Sequence, residues 1–126
     1  MTSFIENLFV GISQAAKTQV DSEILNNIDC LGVPMCHLAQ STYATMPHIE
    51  TAVHYGTKLS NTLADIVQCG YKYSDINSHV KCFLNDCNTL QILQGVEYAK
   101  LIDNMYDHVD AMGDILSELP KRQYVP

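Results

Sequence analysis

YAKLIDNMYDHVDAMGDILSEL, residues Tyr98–Leu119, reads as one long amphipathic helix. Tyr98, Ile102, Met105, Val109, Met112, Leu116 and Leu119 alternate at spacings of four and three, which places them on one apolar seam. Asp103, Asp107, Asp110, Asp114 and Glu118 fall on roughly the opposite face. No Lys or Arg occurs between Leu101 and Leu119, so that acidic stripe has no cation within its own helix. One side of the helix asks for burial, and the other carries like charges at i,i+4 that cost a few tenths of a kcal/mol per pair in isolation.

Upstream, Ser3 and Glu6 form a capping box ahead of the apolar series Ile5, Leu8, Phe9, Ile12, Ala15, Ala16 and Val20, continued by Ile24, Leu25 and Ile28. Gly11 weakens this segment and Asp21-Ser22 could restart it, so one bent helix and two helices are both open. Gly32 and Pro34 are expected to end it. Met35–Ala44 is then expected as a short linking helix. Pro47 suits a first helical turn, and Ala52, Gly56, Leu59, Leu63 and Ile66 carry a helix to Cys69, closed by Gly70. Tyr71–Tyr73 reads as a connector. Asp75–Cys87 reads as a second short helix, with Ile76, Val80, Phe83 and Leu84 inward. Asn88 or Thr89 can cap the final helix, Gly95 is its soft point, and Pro120 is expected to end it.

No segment alternates with period two, so no sheet is expected. These elements predict one all-α domain over residues 1–126, an elongated bundle of three long helices and two shorter linking helices. Residues 120–126 are expected to form a short non-helical tail.

Composition narrows the function classes. A 47% hydrophobic fraction fits a folded domain, and 126 residues can bury a core without staples. Fourteen acidic residues against seven basic ones give a formal charge of −7. That opposes binding to nucleic acid or an anionic membrane and suits a protein partner with a basic surface. No apolar run reaches the roughly 18–20 residues of a membrane span, and Met1–Glu6 lacks the basic, then apolar, pattern of a signal peptide. Five cysteines without disulfide-framework spacing predict free thiols in an intracellular, reducing compartment, with Cys30, Cys69 and Cys82 in apolar settings.

Candidate chemistry is sparse. His79 and Cys82 share a helix face with Cys87 following, and Cys36-His37 is adjacent in the linking segment. Together these could supply tetrahedral zinc ligands, yet no CxxC or HxxxH pair accompanies them. Phosphate loops, dinucleotide fingerprints and nucleophile elbows are absent, and no cofactor is implied. Ala52–Leu59 resembles the exposed-histidine stretch of helical-bundle histidine phosphotransfer domains. That family places Lys three and Gly four residues after its His, whereas here Gly56 follows His54 by two and Lys58 by four. The resemblance implies a signalling module using His54 with Lys58 on the anion side.

The residues favour a non-enzymatic helical interaction or assembly protein, a structural subunit of an oligomer or larger complex such as a virus particle or cellular assembly. The acidic stripe is its candidate contact surface. A third reading is a carrier of a small apolar ligand in a cavity lined by Phe83, Met105 and Met112.

Overall fold

Burial of the four-three seams dictates the architecture. The computed structural model describes the backbone of residues 2–122 and the side chains of residues 18–117. Four helices follow in order: α1 Thr2–Ala39, α2 Met46–Ala64, α3 Tyr71–Leu90 and α4 Gly95–Arg122. A single 3-10 turn, Val67–Cys69, links α2 to α3. Each helix packs on its chain neighbours, and α4 returns onto α1, so the four close a ring. Among the described residues there is no strand, only an isolated bridge between Tyr43 and Gln94.

The fold is all-α, as expected, but it is built from four long helices rather than three long and two short. The predicted break at Gly32 and Pro34 does not occur: α1 runs through both, and the expected Met35–Ala44 helix is its last turns. Pro34 removes one backbone hydrogen bond, at a cost of about 3 kcal/mol. Leu31, Met35 and Leu38 flank it on one face and are fully buried. Each contributes on the order of 1.5–3 kcal/mol, so their combined burial wins.

The expected Tyr71–Tyr73 connector is the first turn of α3. Asp21 of α1 draws it in: Lys72 Nζ lies 2.6 Å from Asp21 Oδ2, and the Tyr73 hydroxyl donates to Asp21 Oδ1 at 2.9 Å. At the far end of α3, Leu90 is fully buried, which carries the helix past Cys87 through Asn88 and Thr89. These two residues therefore do not cap α4.

The α4 helix starts instead at Gly95, whose φ of 61° only glycine adopts at little cost. Its N–H donates to Thr42 O, and the Tyr98 hydroxyl donates to Leu38 O at 2.6 Å. These bonds tie the α1–α2 and α3–α4 connections together at one end of the bundle. Pro120 does not end α4, which continues to Arg122. A proline deletes its own N–H bond but leaves the residues after it free to stay helical. Of the expected tail, residues 123–126 lie outside the described residues.

The seam of α4 is core: Tyr98, Ile102, Met105, Met112 and Leu116 are buried, while Val109 is half-buried against them. Leu119 lies outside the described side chains, as do the capping pair Ser3 and Glu6 and the apolar series Ile5–Ala16. Gly56 sets the approach of α2 to α3. A Cβ there would fall 2.7 Å from Leu84 Cδ2 and 3.6 Å from Phe83 Cδ1.

Candidate interaction groove

Among the described residues, α1 and α4 meet over less of their surfaces than α1 and α2 or α3 and α4 do. A surface groove runs along it. One part, of about 550 Å³, is bordered by Asp29 and Gly32 on α1 and by Tyr106, Asp110 and Asp114 on α4, over Leu25, Ile28 and Val109. A second, of about 270 Å³, continues past the shared Leu25 and Gly113 to Thr18, Asp21 and Leu116. Helical periodicity makes the walls: Leu25, Ile28 and Gly32 recur at three-four spacing on α1, as do Tyr106, Val109 and Gly113 on α4. The floor is apolar, and Leu25 remains 45% exposed.

The structure divides the predicted acidic stripe. Asp103, Asp107, Asp110 and Asp114 are all exposed, but only Asp110 and Asp114 border the groove. Asp29 of α1 faces the same groove, so three carboxylates surround an apolar floor. Among the described residues none of these five aspartates pairs with Lys or Arg; Asp21, by contrast, is answered by Lys72. The Glu118 side chain lies outside the described residues. Burial pushes the Tyr106 hydroxyl up from its ordinary value, helped by Cys36 and Asp110, so at neutral pH it remains a donor at the edge of the groove.

Gly32 and Gly113 sit inside their helices, away from either end by more than a turn, one on each wall. A Cβ added at either would meet no atom within 4 Å. Among the described residues, no packing contact requires either glycine.

The other candidates assemble differently from the sequence expectation. His79 is not grouped with Cys82, which is exposed. It faces His108 across the α3–α4 seam, Nδ1 to Nδ1 at 2.9 Å. His108 Nε2 lies 3.9 Å from Asp86 Oδ2, and Asn104 Nδ2 donates to the same oxygen at 2.9 Å. The contact between the rings needs one donor and one acceptor, so at least one imidazole is neutral. Burial first, then His108, holds His79 below its ordinary 6.5, with Asp75 opposing. Among the described residues no three His, Cys, Asp or Glu side chains are grouped to hold a metal ion.

All five cysteines are unpaired. Cys69 is exposed like Cys82, against the apolar setting expected for both. Cys87 is the buried one, its thiol pushed up to about 12 by burial and then by Asp86, which makes it a poor nucleophile. His54 is exposed, packed edge-on against Tyr55. The Lys58 ammonium lies over the same Tyr55 ring at 5.9 Å. Phe83, Met105 and Met112 are fully buried in the core.

Sequence reasoning found Asp110 and Asp114 but missed Asp29, Leu25, Gly32 and Gly113 as parts of one surface. The available signal was the two glycines, each isolated inside an otherwise helical pattern.

No family model matches the chain, and neither a curated protein nor a solved structure matches it. Among the described residues no helix is long and apolar enough to cross a membrane.

Proposed function

We propose that the protein is a non-enzymatic helical interaction subunit, which joins a larger assembly by receiving another protein along the α1–α4 groove. The observation that carries this reading is the pair of glycines on opposite walls. Each costs its helix about 0.5–1 kcal/mol relative to alanine, and no contact among the described residues offsets that cost. A surface approached closely by another backbone accounts for both.

The exposed Leu25 and the unanswered aspartates beside it fit the same reading. The unpaired cysteines suit an assembly that forms in a reducing compartment. The phosphotransfer alternative draws less support. His54 is exposed, but Lys58 is directed over Tyr55, and Gly56 serves the α2–α3 contact.

The test is the native size of the protein, tagged and expressed at its natural level in its source. The reading expects elution well above the 14.1 kDa of the chain. Elution as a 14.1 kDa monomer under gentle lysis overturns it.

A further inference from the structure

We propose that the α1–α4 groove takes a basic amphipathic helix of a partner protein. The proposal rests on the interaction-subunit reading and names the class of partner for that surface.

The shape comes first. The groove extends on α1 from Thr18 to Gly32. At 1.5 Å per residue this is about 21 Å, or about four helical turns. Both walls are helices whose backbone groups, apart from the carbonyls that Pro34 and Pro120 leave without a helical donor, bond within the helix, so the groove offers no ladder to an extended strand. A helix arrives with its own backbone bonds made and needs only a complementary face. The open positions at Gly32 and Gly113 let its axis come close to both walls.

The charge comes second. Leu25, Ile28, Val109 and Leu116 offer an apolar floor, and Asp29, Asp110 and Asp114 offer three negative charges around it. Among the described residues, neither part of the groove is lined by a Lys or Arg. The matching ligand carries apolar residues at i, i+3, i+4 and i+7, flanked by Lys or Arg. A second copy of this chain fits poorly, because each copy brings a formal −7 to the contact.

The probe is a 14-residue Leu/Lys peptide with its leucines on one face, about the length of the groove. It is titrated into the isotope-labelled full chain and followed by amide chemical shifts. Expected are shifts centred on Gly32, Gly113 and their neighbours, with affinity falling steeply as salt rises. Replacing all three aspartates (Asp29→Asn, Asp110→Asn, Asp114→Asn) should weaken binding by about tenfold or more and flatten the salt dependence. Asp110→Asn alone should give a smaller loss in the same direction. A Leu/Glu peptide of the same pattern, and a Leu/Lys peptide scrambled to remove the apolar face, should leave both glycines unmoved.

Undiminished binding to the triple variant, equal binding of the Leu/Glu or scrambled peptide, or shifts away from the groove would overturn the proposal. If the Leu/Lys peptide leaves the glycines unmoved while Gly113→Leu still dissolves the native complex, the groove is an interface and the basic-helix assignment is wrong. If no native complex exists, both readings fall.

Discussion

The α3–α4 seam and the α1–α4 seam share one helix but meet it differently. On the α3 side, Val80, Phe83 and Cys87 enter the buried core, and polar contacts from His79 to His108 and from Asn104 to Asp86 span the two helices. On the α1 side, Val109 is half-buried, Leu25 is exposed and a glycine stands open on each wall. A single amphipathic helix can thus be saturated on one flank and left partly unsatisfied on the other. The difference comes from the partner helix: α3 supplies large side chains and hydrogen-bonding groups, whereas α1 supplies Gly32 and Asp29.

The largest effect should separate the two flanks by packing. Phe83→Ala empties a fully buried site and should destabilise the fold by about 3–5 kcal/mol in urea unfolding. Leu25→Ala on the open flank should cost less than about 1 kcal/mol. Similar costs would mean that the groove is as tightly packed as the closed seam.

The glycines sharpen the comparison at smaller scale. Gly32→Ala and Gly113→Ala enter open space and should each raise stability by about 0.5–1 kcal/mol. Gly56→Ala gains the same helical preference but drives Cβ against Leu84, and should lower stability by about 1 kcal/mol. Thermal melts of the three variants, side by side, decide this. A loss at Gly113 would mean that α1 closes on α4 more tightly than the geometry indicates.

The smallest effect is electrostatic. His79 is held below 6.5, so below that pH the unfolded chain takes up a proton that the folded chain resists. Stability contributed by neutral His79 is complete above 6.5 and is lost as pH falls towards its depressed folded value. His108 and Asp75 face the histidine, and Asp75 alone of these opposes the loss. Between about pH 7 and about pH 5, the wild type should lose more melting temperature than His79→Gln. Equal slopes would remove His79 from the account.

The parts of this fold legible in sequence were those where one periodicity acted alone. The Tyr98–Leu116 seam and the Ala52–Leu63 seam follow from spacing and need no knowledge of a neighbour. The continuation of α1 was not legible, because local chemistry at Gly32 and Pro34 opposes what Leu31, Met35 and Leu38 gain from α2 and α4. The early start of α3 depends on Asp21, a residue distant in the chain that engages Lys72 and Tyr73. The groove is likewise a tertiary object. Asp110 and Asp114 were visible as part of a stripe, but their association with Asp29 and the two glycines exists only once α4 lies against α1.

The most direct measurement of the central claim, that the open flank serves an outside partner, is made on Gly113→Leu. The Cβ of a leucine there enters open space on a helix that prefers leucine to glycine, and the rest of the side chain occupies the groove a partner would need. The isolated variant should melt at or above the wild-type temperature, while its elution from the native source falls from the complex to the 14.1 kDa monomer. A variant that remains in the complex at wild-type size would contradict the account.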